Sequence, residues 1–208
     1  MIQAVIWDFG GVITTSPFEA FQKFEAARGL PIDLIRSINA TNPLENAWAK
    51  FERAEITHAQ FDGLFAEEAR AKGYDVRGAD VLPLLAGAPR PEMVEALRRI
   101  HARMKTGCIT NNLPTNESGA MAGMYKKDIM ALFHHVIESA KIGLRKPDPR
   151  IYAMMTDALA VDPKACVYLD DLGINLKPAR DMGMKTIKVL DPARALDELE
   201  AHVGFALR

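Results

Sequence analysis

The sequence predicts an α/β protein: a parallel sheet with helices on both faces, interrupted once by an all-helical insert. Three observations carry this reading. The run Ala4-Val5-Ile6-Trp7 is apolar without alternation, as a strand buried on both faces of a parallel sheet has to be. From Arg90 onward, apolar strand-like runs alternate with helical patterns, which is the rhythm of βα units. Between Thr14 and Arg90 no period-two alternation occurs, so that stretch reads as helices only.

Each element has its own local justification. Asp8-Phe9-Gly10-Gly11 ends the first strand, and the two glycines permit a tight turn with amides free to approach a ligand. Ser16-Pro17 starts a helix, with Ser16 as N-cap and Pro17 at the first helical position. Phe18, Phe21 and Phe24 recur at helical spacing as its core face, and Gly29-Leu30-Pro31 ends it. The pattern stays helical to Lys72, with loops at Asn42-Pro43 and Ile56-Thr57; Thr57 caps the helix carrying Phe61, Leu64 and Phe65. Pro91 opens a helix with the apolar face Met93-Val94-Leu97-Ile100-Met104, which leads to the strand Gly107-Cys108-Ile109-Thr110 and a polar Asn-Asn-Leu-Pro loop. A helical stretch around Ile129 to Phe133 precedes the short strand His135-Val136-Ile137. Asp148-Pro149 opens the next helix, and Asp162-Pro163 a helical turn before the strand Ala165-Cys166-Val167-Tyr168-Leu169. Gly183 ends another helix, Lys185 to Leu190 is the last strand, and Asp191-Pro192 starts the closing helix.

Length and composition bound the function. A chain of 208 residues holds one core domain with room for an insertion, and 49% hydrophobic with 25% charged residues is ordinary for a globular enzyme. A net charge of −1 argues against a nucleic-acid groove or an anionic membrane as the main partner. No apolar run approaches the roughly 18 residues of a membrane span, and the start lacks the basic region of a signal peptide, so a cytoplasmic location is expected. Cys108 and Cys166 both fall within apolar strand segments, which suits reduced, structural thiols.

The chemistry gathers at strand ends. Asp8, Thr110 and the pair Asp170-Asp171 each end an apolar strand at its carboxyl edge, where open α/β sheets place their ligand crevice. Taken singly, Asp8 reads equally well as a turn cap, Thr110 as a strand-end cap, Lys146 as a solvated loop lysine and Asn175 as a helix-start residue. Taken together, three converging carboxylates would repel one another and drift toward protonation unless cations neutralise them. Lys146, in Arg145-Lys146-Pro147, is one cation, and Mg²⁺ is the natural second. Oxygen-only ligands that leave room for waters and a phosphate suit Mg²⁺ rather than zinc, and no His/Cys cluster has zinc spacing.

These four segments resemble the four motifs of the haloacid dehalogenase (HAD)-like hydrolase superfamily over nearly the whole chain. They look most like the branch that contains the N-terminal phosphatase domain of soluble epoxide hydrolases. The resemblance implies a Rossmann-like core over residues 1–14 and 90–208, with a helical cap, residues 15–89, inserted between the first and second motifs. It implies a Mg²⁺-dependent phosphatase acting on a small phosphomonoester, with Asp8 as the nucleophile that forms an aspartyl-phosphate. Asp8, the Gly10 carbonyl and Asp171 would then supply the protein's share of the Mg²⁺ shell. Asp170 would act from behind, ordering metal waters or Lys146. Thr110, with Asn111 and the neighbouring amides, would bind the phosphoryl group. Lys146 would balance charge between Asp8 and the transferring group, and Asn175 would fix the geometry of the Asp170-Asp171 loop.

One position departs from that pattern. Active phosphatases of the superfamily usually carry a second Asp two residues after the nucleophile, a general acid and base worth about 10²–10⁴ in rate. Here that position is Gly10. Superfamily dehalogenases lack that Asp too, but typically place Tyr there and an Arg close behind, and this chain has neither. A non-catalytic, regulatory member is the third reading. In the insert, Glu52-Arg53-Ala54-Glu55-Ile56-Thr57 reads as a structural turn, Trp48 and Phe51 as packing residues, and His58 as exposed. His134-His135 borders a strand and needs no special role. If another residue supplies the missing proton, His58 and Glu55 are the first suspects.

Overall fold

The computed structural model describes residues 1–114 and 127–208. Five strands, β1 (Ala4–Trp7), β2 (Lys105–Thr110), β3 (His135–Glu138), β4 (Cys166–Asp170) and β5 (Lys185–Lys188), form one sheet in the order β3-β2-β1-β4-β5. Every pairing is parallel, so all carboxyl ends lie at one edge. Between β1 and β2 the chain forms α1 (Pro17–Ala27), α2 (Leu34–Ala40), α3 (Ala47–Glu52), α4 (His58–Ala71), the short α5 (Gly78–Val81) and α6 (Pro91–His101). After β3 come α7 (Ser139–Ile142) and α8 (Pro149–Leu159), after β4 comes α9 (Gly173–Asp181), and α10 (Pro192–Val203) follows β5.

β1 is the central strand, and all four of its residues are fully buried. Alternate side chains serve opposite faces, as the strand period requires. Val5 and Trp7 pack with Met93 and Leu97 of α6 and Leu196 of α10, whereas Ala4 and Ile6 pack with Tyr152 and Met155 of α8 and Leu176 of α9. Cys108 and Cys166 are free and buried in these layers. Several strand ends differ from the sequence reading by a residue or two: β2 begins at Lys105 rather than Gly107, and β3 and β4 end one residue later, at Glu138 and Asp170. Ala165 belongs to a helical turn (Pro163–Ala165), so β4 begins at Cys166, and β5 ends at Lys188, leaving Leu190 exposed. Ahead of β3, residues 127–130 are helical, and Phe133 is buried beyond a turn.

The helices between β1 and α6 bury their own aromatic core, built on Phe21, Ile35, Phe51, Phe61 and Phe65 with Trp48 packed against it. Phe51 and Phe61 stack at 4.6 Å, and Trp48 meets Phe61 edge-on at 5.4 Å. Local signals start the helices as read. Ser16 Oγ accepts from the Phe18 amide, and Thr57 forms a capping box with Gln60. The buried Glu25 ties α1 to α2 by accepting from the amides of Asp33 (2.8 Å) and Ile35 (2.9 Å). The two connections to the sheet run side by side. Thr14 pairs antiparallel with Pro89, the Thr15 amide donates to Ala88 O (2.8 Å), and the Arg90 amide donates to Ile13 O (2.8 Å).

The turn after β1 spans Phe9–Ile13, and its two glycines differ in kind. Gly10 has φ −70° and ψ 131°, a conformation open to any residue, and a Cβ there would meet nothing within 4 Å. Gly11 has φ +77°, and a Cβ would lie 2.2 Å from Asp171 Oδ2. Left-handed backbone in a non-glycine residue costs about 1–3 kcal/mol. Urea denaturation should therefore find Gly11→Ala destabilised by at least about 1–3 kcal/mol. Gly10→Ala should instead be neutral or stabilised, by up to about 1 kcal/mol. Equal effects from both would contradict this distinction.

Candidate active site

The carboxyl edge of the sheet brings Asp8, Asp170 and Asp171 together. One carboxylate oxygen from each lies within 4.8 Å of the others. Between them sits the Lys146 ammonium, 1% exposed, with its Nζ 2.8 Å from Asp8 Oδ1 and 2.8 Å from Asp170 Oδ2. Asp8 follows β1 directly and Asp170 ends the adjacent β4, so the paired strands set the spacing of the two acids. Thr110, largely buried, ends β2 on the other side of β1.

The two members of the Asp170-Asp171 pair have different surroundings. Asp170 is fully buried and saturated with donors. Besides Lys146, it accepts from the Tyr168 hydroxyl, the Leu172 amide (2.8 Å) and Asn175 Nδ2 (3.1 and 3.2 Å). Asn175 is steadied in turn by the Tyr152 hydroxyl, which donates to its carbonyl at 2.7 Å. Asp171 is half-buried, and its carboxylate receives its own backbone amide and a long contact from Ser16 Oγ, 3.5 Å. Asp8 Oδ1 accepts from the Phe9 amide (2.6 Å) as well as from Lys146, so both of these contacts fall on one oxygen. Gly10 is exposed at the rim.

The residues after Thr110 are anchored in three directions. Asn111 clamps the Lys146 backbone with both ends of its amide, accepting from Lys146 N (2.8 Å) and donating to Lys146 O (3.1 Å). Asn112 Nδ2 donates to Glu138 (3.0 Å), and its Oδ1 accepts from the Ala140 amide (3.1 Å). Leu113 packs against the aromatic core of the inserted helices.

Two residues that the sequence did not single out as site residues also belong to this neighbourhood. Arg145, directly before Lys146, donates from Nε to Glu52 Oε2 (2.6 Å) and from Nη1 to Pro43 O (2.9 Å). The Trp48 indole donates to the other oxygen, Glu52 Oε1, at 2.8 Å. Glu52 is thus a buried carboxylate holding α3 to the Lys146 loop, a role that a turn reading of its segment did not foresee. The suspects named in its place are differently disposed. Glu55 is exposed and paired with Arg53 (2.6 Å), whose hydrogen bond holds its carboxyl below the usual range. His58 is half-buried rather than exposed, because its ring packs edge-on against Phe51 at 4.8 Å. His134 and His101 stack at 4.6 Å beside a cavity of about 530 Å³ lined also by Gln3 and Lys105, at the opposite, amino-terminal edge of the sheet.

The electrostatics follow from one buried cation among three acids. Burial raises the Asp8 carboxyl well above its ordinary range, Lys146 pulls it back, and Asp170 and Asp171 push it up again. Burial and then the Asp170 charge push Asp171 up to about 6. Burial disfavours the Lys146 ammonium, but Asp170 and Asp8 outweigh it and hold the proton in place. Three carboxylates offer oxygen donors only, which fits a hard divalent ion.

A parallel α/β sheet with such acids at its carboxyl edge is compatible with a hydrolytic enzyme, and the comparison with known sequences gives the family. Residues 2–183 match the family model of the haloacid dehalogenase-like hydrolases, and the chain belongs to that family. It is 33% identical over 98% of its length to bifunctional epoxide hydrolase 2 of Mus musculus, of which it covers 39%. It is 31% identical over 90% of its length to a phosphatase of Mycobacterium tuberculosis, covering 87% of that protein. The chain spans two fifths or less of the length of the mammalian relatives it matches first. In fold it resembles a HAD family enzyme of Bacteroides thetaiotaomicron, solved with magnesium and inorganic phosphate, with a TM-score of 0.61 and 19% identity. That match covers 90% of this chain and 94% of the other.

The raised Asp171 carboxyl yields a stability test. Its folded value of about 6 exceeds the ordinary 3.8, so between those values the folded chain binds more protons than the unfolded chain. Without a divalent cation, stability should then fall as pH rises from about 4 to about 6. Asp171→Asn removes the charge, and in EDTA at pH 7 it should stabilise the protein by roughly 1–3 kcal/mol. The gain should vanish toward pH 4. Thermal denaturation across that range would check it, and a variant less stable at pH 7 would refute it.

Proposed function

We propose that the chain is a Mg²⁺-dependent phosphatase of small phosphomonoesters, with residues 15–89 as a cap over the catalytic edge of a core formed by residues 1–14 and 90–208. The observation that carries the reading is the cluster of Asp8, Asp170 and Asp171 around one buried lysine. The similarity to a phosphatase over most of both chains supports it. Asp8, Asp171 and the Gly10 carbonyl are the assigned metal ligands. Asp171 suits that role because its carboxylate is sparsely engaged, whereas Asp170 already accepts from four donor groups. Bound there, Mg²⁺ would supply charge neutralisation for the phosphate and the carboxylates around it.

In the proposed reaction Asp8 attacks through Oδ2, since Oδ1 is held by the Phe9 amide and Lys146. A bond forms between Oδ2 and phosphorus while the ester P–O bond breaks, and the leaving oxygen takes its proton from water. Water then attacks phosphorus, the Asp8–phosphate bond breaks, and inorganic phosphate departs. Lys146 balances the charge on Asp8 and the transferring group, and Thr110 and the amides of its loop, including Asn111, hold the phosphoryl oxygens. Asn111 also orients Lys146 through its backbone clamp. Asp170 keeps Lys146 in place, with Asn175 fixing Asp170.

Two measurements test this. Phosphate release from a panel of phosphorylated metabolites should require Mg²⁺ and disappear in EDTA. Asp8→Asn, nearly isosteric, should remain folded and lose at least 10³-fold in rate, on the order expected when a nucleophile is removed. A variant retaining a tenth of the rate, with deamidation excluded, would remove Asp8 from the nucleophile's role.

Gly10 generates the second test. No carboxylate stands there to protonate the leaving oxygen, so turnover should depend steeply on leaving-group pKa, with aryl and acyl phosphates favoured over alkyl phosphates. Gly10 has ordinary backbone angles, and a Cβ there meets nothing within 4 Å, so the backbone admits the substitution. Gly10→Asp should raise the rate on an alkyl phosphate by up to about 10²–10⁴ and change the aryl rate far less. Equal chemical-step rates on both substrates in the wild type would mean that another group supplies the proton.

A further inference from the structure

The structure assigns Glu52 and Arg145 as positioning residues: the ion pair between them makes the placement of Lys146 depend on the inserted helices. The inference rests on the reaction proposed above and goes beyond it, because it names what couples the cap to the chemistry.

The pair differs in kind from the other ion pairs that tie side chains of the inserted helices. Those join Arg28 to Asp80, Arg36 to Asp33, Arg53 to Glu55 and Arg77 to Asp62, all within the insert and each with one side chain about half exposed or more. Glu52–Arg145 crosses from α3 to the loop before α8, with Glu52 side-chain exposure of only 9% and Arg145 at 20%. An exposed pair contributes little, but a shielded carboxylate has to be matched in place, and Glu52 is matched on both oxygens. Trp48 Nε1 fixes one and Arg145 Nε the other. Arg145 is held at its far end by Pro43 O, so its guanidinium bridges two points of the insert.

Arg145 is covalently next to Lys146, and this fixes the direction of the coupling. Asn111 clamps the Lys146 backbone from the β2 side, while Arg145 pulls on the same segment from the insert side. Lys146 Nζ must meet Asp8 and Asp170 together at 2.8 Å, a geometry with little tolerance. Misplacing a catalytic group by about 1 Å can cost about 10²-fold in rate. When the insert moves away, Glu52 leaves Arg145 without its partner and the Lys146 segment loses one of its two supports. Closure of the insert would therefore complete the site as well as exclude water.

Trp48 makes the coupling measurable, since it is one of two tryptophans and touches Glu52 directly, while Trp7 is sealed in the sheet. The experiment uses the full chain with Mg²⁺ and inorganic phosphate as probe. Binding is followed by calorimetry and by tryptophan fluorescence in the wild type, Glu52→Gln, Arg145→Gln, Arg145→Lys and the double Gln variant. Circular dichroism and melting curves establish that each is folded. We expect the wild-type emission to shift on phosphate binding, and both single Gln variants to lose most of that shift while still binding. With substrate, each single Gln variant should lower kcat by about 10–100-fold with KM changed less than about threefold. The double variant should lose no more than either single one, and Arg145→Lys should recover part of kcat. Additive losses, an unchanged kcat in folded Gln variants, or wild-type phosphate binding without any Trp48 response would overturn the assignment. If the wild type binds no phosphate by calorimetry with Mg²⁺ present, the phosphatase reading itself fails, and this inference falls with it.

Discussion

The Lys146 ammonium, sealed between Asp8 and Asp170, is the constraint on which the rest of the site depends. A buried charge has to be paired and hydrogen-bonded, or it will not stay charged. Each acid is delivered by a different strand of the same parallel sheet, so the spacing of β1 and β4 decides whether one ammonium can reach both. Asp170 is in turn fixed by Tyr168, Leu172 and Asn175, and Asn175 by Tyr152. The loop carrying Lys146 is held by Asn111 at the end of β2. Three separate stretches of chain are thus locked around a single nitrogen, while Asp171 has fewer donors than Asp170, with a long contact from Ser16 among them.

The fold was legible because its central strands are buried on both faces. Ala4 to Trp7 and Cys166 to Leu169 are continuous apolar runs whose side chains all vanish into the two layers. The helix starts were legible because Ser16, Thr57 and Asp148 carry their caps in the local sequence. Strand ends were less so. Leu190 is apolar and reads as strand, yet the ladder stops at Lys188, since pairing depends on the neighbouring strand and not on hydrophobicity. The gathering of Asp8, Asp170 and Asp171 was readable from strand ends alone, because parallel order sends every strand's carboxyl end to one edge. The different surroundings of Asp170 and Asp171 are set by donors from Tyr168, Asn175 and Lys146, which only the folded chain brings near. Gly10 and Gly11 look alike as letters, but only Gly11 needs its glycine for backbone and space. Glu52 and Arg145 lie 93 residues apart and gave no local signal beyond Arg145 standing beside Lys146.

The inserted helices have their own aromatic core, yet their contacts with the sheet fall beside the acids. Ser16 reaches Asp171, Glu52 reaches the residue before Lys146, and the insert core receives Leu113 from the loop after Thr110. Both connections, at Thr14–Thr15 and Ala88–Arg90, are hydrogen-bonded to each other, which makes the base of the insert a paired stem. The insert is thus a body on a paired stem whose further contacts lie beside three separate segments that carry the acid cluster, Lys146 and Thr110.

The charge of the site also bears on the rival reaction known in this family, the displacement of halide. With all groups ionised, Asp8, Asp170 and Asp171 against Lys146 leave a net charge of −2, held largely out of water. Any anionic substrate meets repulsion there, and a phosphate dianion meets more of it than a haloacid monoanion. The cluster answers this in one of two ways: by protonation, which burial already favours at Asp8 and Asp171, or by a divalent cation. Protonation would disable Asp8, since a neutral carboxyl is a poor nucleophile in either reaction. A cation restores the charge on Asp8 and at the same time attracts the more highly charged substrate. A second acid at Asp171 therefore suits the proposed phosphoryl transfer better than a metal-free displacement.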